Sequence, residues 1–206
     1  MITDLINKNR SCRRFYQDHA VDLETLKELV DLARLSASAG NLQPLKYILS
    51  CNLKQNARIF SCLAWAGYLK DWPGPDNGER PAAYIIVLGD TTKSNDFGCD
   101  HGIAGQSILL GATEIGLAGC MIGSIKREKL REVLKIPSKL KILLVIAIGK
   151  PKEKFVIESV DHDDNIRYWR DSKGVHHVLI RTYLKNKIRV QGKARNGEKA
   201  EHTRSM

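Results

Sequence analysis

Asn9-Arg10-Ser11-Cys12-Arg13-Arg14-Phe15 and Ser36-Ala37-Ser38-Ala39-Gly40-Asn41-Leu42-Gln43-Pro44 are the two stretches that decide how this 206-residue chain is read. The first gathers guanidinium groups around a hydroxyl; the second gathers amides, hydroxyls and small residues. Guanidinium forks suit a phosphate, and amide donors suit the carbonyl and nitrogen edge of a heterocycle. Singly, the first is an ordinary solvated turn and the second an ordinary loop. Their order gives them meaning. Between them Asp22 precedes Leu26, Leu29, Val30 and Ala33 at helical spacing, which predicts an N-capped amphipathic helix ending near Ser36. Directly after them Leu45-Lys46-Tyr47-Ile48-Leu49 reads as a strand.

In that arrangement Arg10, Ser11, Arg13 and Phe15, then Ser38, Asn41, Gln43 and Pro44, make the chain resemble the nitroreductase-like family of FMN-dependent oxidoreductases. Members open with a helix that carries the arginine motif. The resemblance continues through Trp65-Ala66-Gly67-Tyr68-Leu69-Lys70-Asp71-Trp72 and Gly78-Glu79-Arg80-Pro81, which lead into the strand Ala83 to Leu88. Asp100 through Gly119-Cys120-Met121-Ile122-Gly123-Ser124 looks like the family's central helix and the flavin-facing loop after it. Near the end, Tyr168-Trp169-Arg170-Asp171 and His176-His177-Val178 precede Arg181. The departures are Asn9 where the family favours Arg, Ala37 for Pro, Leu45 for Trp, and Leu179-Ile180 for a Pro-Lys pair.

The resemblance implies FMN as cofactor and NADH or NADPH as co-substrate. Arg10, Arg13 and Arg181 would neutralise the phosphate, and Ser11 would add a hydrogen bond. Ser38, Ala39 and Asn41, with Gln43 beside them, would reach the flavin from a partner subunit. The backbone N–H of Gly123 or Ser124 would face flavin N5, and Lys70 would lie near N1 and O2. The implied reaction is a ping-pong hydride transfer to an electron-poor acceptor such as a nitroaromatic or quinone, with no catalytic side chain of the protein's own. Reductive dehalogenation and flavin-consuming chemistry are alternatives on the same fold, and a non-catalytic flavin- or anion-binding protein is an alternative of another class. The implied fold is an α+β sandwich, a mixed central sheet flanked by helices, in an intertwined homodimer with FMN at the subunit interface.

Composition narrows the class. At 43% hydrophobic residues the chain can bury one sizeable core, so a single domain over 1–188 is expected. No apolar run approaches the ~20 residues that span a bilayer, and Met1-Ile2-Thr3-Asp4 lacks a signal-peptide opening, so a cytoplasmic protein is expected. Five cysteines without a Cys-x-x-Cys pair argue against disulfides, zinc and iron–sulfur clusters. Arg13 and Arg14 could depress the Cys12 pKa, but a buried, inert thiol is the preferred reading. Part of the formal charge of +10 lies in a basic tail, 189–206, that has too few apolar residues to fold alone and is expected to be disordered. No helix pairs a basic face with aromatics, so nucleic acid is not an expected partner. His176 and His177 would point to opposite faces of a strand, which argues against a shared metal.

His101 to Leu117 is apolar nearly all round, with Gly102, Gly105 and Gly111 permitting close packing, and predicts a long helix buried on more than one side. A twofold subunit interface is a natural second surface for it. Gly111 to Gly119 falls within this predicted helix and not at a strand-to-helix turn, so it is no dinucleotide fingerprint. Arg127 to Leu134 predicts a short helix with Leu130, Val133 and Leu134 inward, and Ile142 to Gly149 a central strand. Pro73 to Pro81 can form neither helix nor sheet and reads equally as a lid or a plain surface loop. An irregular arm is expected after Gly149.

Overall fold

Residues 1–160 and 166–181 are described by the computed structural model; the expected tail 189–206 and the domain boundary at 188 lie outside them. The chain opens with α1 (Ile2–Lys8) and β1 (Phe15–Tyr16), then α2 (Leu23–Arg34), a single 3-10 turn (Ala39–Asn41) and β2 (Leu45–Ser50). It continues through α3 (Leu53–Phe60), β3 (Ala83–Asp90), α4 (Asp100–Glu114), β4 (Ala118–Ile122), α5 (Arg127–Leu134) and β5 (Leu140–Pro151). An arm of β6 (Phe155–Val160), β7 (Trp169–Arg170) and β8 (His176–Arg181) follows.

The central sheet runs β1-β5-β3-β2, with β4 also paired to β5. Side-chain alternation along β3 and β5 builds a core on each face. Ile85, Val87, Ile146 and Ile148 meet Leu26 and Leu29 of α2 and Ile108 and Ala112 of α4. Tyr84, Ile86, Val145 and Ala147 meet Ile59 of α3 and Leu130 of α5. Each of these larger aliphatic side chains contributes about 1.5–3 kcal/mol by leaving water. The Asp22 carboxylate accepts from the Thr25 N–H at 2.7 Å and starts α2 as the sequence predicts. Val30, expected inward, is only half-buried.

Several expectations are corrected. Among the described residues, all ladders of the central sheet are antiparallel, and its one parallel contact is the Ser11–Gly119 bridge. The long helix stops at Glu114, because Gly116 (φ +75°) turns the chain and β4 begins two residues later. Gly119 is therefore a strand residue. A Cβ there would stand 2.4 Å from the Ala147 carbonyl oxygen of β5, so only glycine lets the two strands approach. The opening helix does not carry the arginine motif: α1 ends at Lys8, and residues 11–12 run extended beside β4, with the Cys12 N–H donating to the Gly119 carbonyl at 3.0 Å. The arm is not irregular but a three-stranded sheet in which β6 and β8 pair in parallel.

Candidate functional site

The extended segment 9–13 and the end of β4 form the two walls of one cleft, and Arg13 and Tyr168 belong to both of its compartments. One compartment, of about 290 Å³, is lined by Arg10, Ser11, Arg13, Gln106 and His176. The other, of about 120 Å³, is lined by Trp65, Met121, Gly123 and Ser124. Pairing of residues 11–12 with Gly119 explains the juxtaposition, since β4 delivers Gly123 and Ser124 a few residues further on. The sequence-predicted Arg10, Ser11, Arg13, Gly123 and Ser124 are thus brought together.

The cationic compartment is under-satisfied. Arg10 donates to the Ile6 carbonyl, yet its buried Nε has no hydrogen-bond partner. Arg13 donates to the Ser11 carbonyl at 3.1 Å and lies over the Tyr168 ring at 4.9 Å. Two guanidinium groups over a polar cavity, one with an orphaned N–H, form an anion-accepting arrangement. In the other compartment, a Cβ at Gly123 would meet no protein atom within 4 Å, so the backbone there borders open space.

Ser38 and Gln43 line a separate cavity of about 240 Å³ that shares no lining residue with the cleft. Ser38 Oγ donates to Asp100 Oδ2 at 2.6 Å and accepts from the Gln43 N–H at 3.0 Å, while the Ala39 N–H donates to Asp100 Oδ1 at 3.0 Å. The Ser38 hydroxyl is committed to the loop rather than offered to a ligand. Gln43 Nε2 donates to Asn41 Oδ1 at 2.9 Å, and Gly40, Asn41 and Gln43 all take left-handed backbone angles. Two non-glycine residues held there mark a built loop.

Lys70 is exposed and lines neither compartment. Cys12 is fully buried, as expected of an inert thiol, and burial pushes its pKa up rather than down. No residue of the Pro73–Pro81 loop lines either compartment, although Gly74 packs against Trp65; Glu79 binds Arg14 (2.5 and 2.7 Å) and Lys152 (2.9 Å), which pins that end of the loop beside β1. Arg181 ends β8 opposite Val160, and its guanidinium lies outside what is described. No helix among the described residues is long and apolar enough to cross a membrane.

Sequence reasoning missed Glu153 and Asp100. Glu153 accepts from the Arg13 N–H at 2.7 Å and pairs with Arg170 (2.5 Å) and His176 Nδ1 (3.2 Å). Burial alone would raise its pKa, but these bonds outweigh burial and hold the carboxyl below its usual range. In Lys152-Glu153-Lys154 it looks like one solvated charge among others. For Asp100, an acid opening an apolar helix was the available signal.

Residues 6–150 match the profile of the Nitroreductase family. A putative NADH dehydrogenase/NAD(P)H nitroreductase of Archaeoglobus fulgidus is 27% identical over 167 residues, 77% of this chain and 91% of that protein. A nitroreductase family protein of Clostridium novyi NT superposes with a TM-score of 0.63 at 26% identity, over 74% of this chain and 86% of its own. An FMN-dependent nitroreductase of Clostridium difficile R20291 does so at 0.61 and 27%, over 75% of this chain and 89% of its own. With most of its length inside the family profile and its central sheet and helices shared with these structures, this chain belongs to the nitroreductase family.

Proposed function

We propose that the protein is an FMN-dependent oxidoreductase that passes hydride from NADH or NADPH to an electron-poor acceptor such as a nitroaromatic or quinone. One observation carries this reading: a cleft with two arginines at one end, Arg10 Nε unpartnered, and an open backbone edge at Gly123–Ser124 at the other. FMN bound there supplies the hydride acceptor and donor that no side chain of the cleft could be.

The chain's own residues bind and orient. Arg10 and Arg13 take the phosphate charge, and the exposed Ser11 hydroxyl adds a donor. The Gly123 or Ser124 N–H, on a rigid strand end, faces the ring edge and favours charge developing there. The loop at Ala39, Asn41 and Gln43, held by Asp100, completes the site of a second copy in a homodimer. Its supports are the exposure of these three residues and the shape already imposed on them by Asp100.

The visible spectrum of purified protein tests the core of this reading. Bands near ~370 and ~450 nm, with FMN released on denaturation, are expected. NAD(P)H oxidation dependent on a nitroaromatic or quinone then separates a catalyst from a flavin-binding protein. A colourless protein that takes up no FMN overturns the proposal.

A further inference from the structure

The cleft contains a buried histidine that the proposed function leaves unused. The side chain of His176 is 2% exposed, lines the same compartment as Arg10, Ser11 and Arg13, and sits on β8, outside the two motifs that suggested the site. Its orientation is fixed from every side. Nδ1 faces Glu153 at 3.2 Å, its ring stacks on Tyr168 at 5.2 Å, and Phe155 closes the remaining side at 5.7 Å. The carboxylate that holds it is itself held by the Arg13 N–H and by Arg170.

A carboxylate at Nδ1 fixes the tautomer: the proton stays on Nδ1, and Nε2 is left for something else. Nε2 makes no hydrogen bond among the described residues. The other charged groups around this ring are Arg10, Arg13, Arg170 and Glu153. Two of these cations line the cavity, while Asn9 and Val178, which line it too, bring no charge.

We propose that His176, oriented by Glu153, is a third ligand for the phosphate of FMN, meeting one phosphate oxygen through Nε2. This rests on FMN occupying the cleft. A single proton serves the contact: the imidazolium donates it to a phosphate dianion, or a phosphate monoanion donates its own to neutral Nε2. No bond other than the hydrogen bond is made. Glu153 is a positioning residue, and it ties the arginine segment and the arm to the same anion.

Two conservative variants separate binding from fold maintenance, because an asparagine can reach Glu153 in place of Nδ1 whereas a glutamine amide reaches toward the Nε2 position. FMN and riboflavin, which lacks the phosphate, are titrated by flavin fluorescence against wild type, His176→Asn and His176→Gln. His176→Asn is expected to weaken FMN at least tenfold and leave riboflavin unchanged, with His176→Gln recovering most of the loss. Equal loss for both flavins, or an unweakened FMN affinity in His176→Asn, overturns the proposal.

If wild type binds neither flavin, the functional reading falls, and inorganic phosphate becomes the probe. A rise in melting temperature with phosphate in wild type that is lost in His176→Asn retains His176 as an anion ligand. An equal rise in both, or none in wild type, discards it.

Discussion

β3 and β5 bury side chains on both faces, with Ile85, Ile86, Val145 and Ile146 fully enclosed, whereas Val156, Ile157, Trp169 and Ile180 of the arm are each more than a third exposed. What the arm lacks in apolar burial it replaces with charge. Glu153 joins Arg170 and His176, and His177 lies between Glu158 (2.5 Å) and Asp171 (3.6 Å) while stacking on Trp169 at 3.9 Å. The central sheet is held by a non-directional force that grows with area, and the arm by a few oriented contacts. The arm should therefore come loose without the sheet, but not the reverse.

Gly119→Val attacks the sheet where it is least forgiving, and is expected to cost more than about 3 kcal/mol or prevent folding. Urea unfolding should then show sheet and arm lost together. Arg170→Ala attacks the arm by leaving Glu153 with a weaker set of partners, at a cost of about 3 kcal/mol. Limited proteolysis should open residues 155–181 while the unfolding midpoint of the central sheet stays put. Loss of both at one midpoint would mean that the two regions form one cooperative unit.

Acid and base should distinguish the regions further. Arg14 and Lys152 hold the Glu79 carboxyl down to about 2 from an ordinary 4.5, so its stabilisation is fully present above pH 4.5 and disappears as the pH falls toward 2. Glu79→Gln should remove about 2 kcal/mol at neutral pH and flatten the acid limb of a stability profile. His177 runs the other way. Its pKa is raised by Glu158 and Asp171, so the tie is fully present below the ordinary histidine value of 6.5 and is lost as the pH rises through the raised one. Relative to intrinsic base-catalysed exchange, amide protection in β7 and β8 should fall modestly between neutral and mildly alkaline pH, and His177→Phe should abolish that fall.

The contrast also explains what could be read in advance. α2, α5 and β5 announce themselves through apolar spacing, because burial is what holds them and burial is written in residue type. β4 was hidden, since Leu117 to Ile122 continues the apolar composition of α4 and only Gly116 marks the break. The arm was hidden for a different reason: in Phe155-Val156-Ile157 and Val178-Leu179-Ile180 the apolar residues run consecutively without alternation, and the partners of Glu158 and Glu153 lie 19 and 23 residues away. Within the cleft, Arg10, Arg13 and Gly123 were legible as residue types suited to a ligand. Glu153, which holds Arg13 and His176, and Asp100, in the separate cavity, were not, since what they hold is backbone and other side chains.

β5, the strand to which β1, β3 and β4 are all hydrogen-bonded, comes last of the five in the chain. On the ribosome, β2 and β3 can pair as soon as both have emerged, but β1 and β4 must wait for β5. At synthesis rates of about 5–20 residues per second, β1 waits roughly 7 to 27 seconds for its partner. Tyr168 and His176 of the arm line the cleft too, so it cannot exist on a nascent chain until β8 is free, and the cofactor must be acquired after the whole central sheet has emerged.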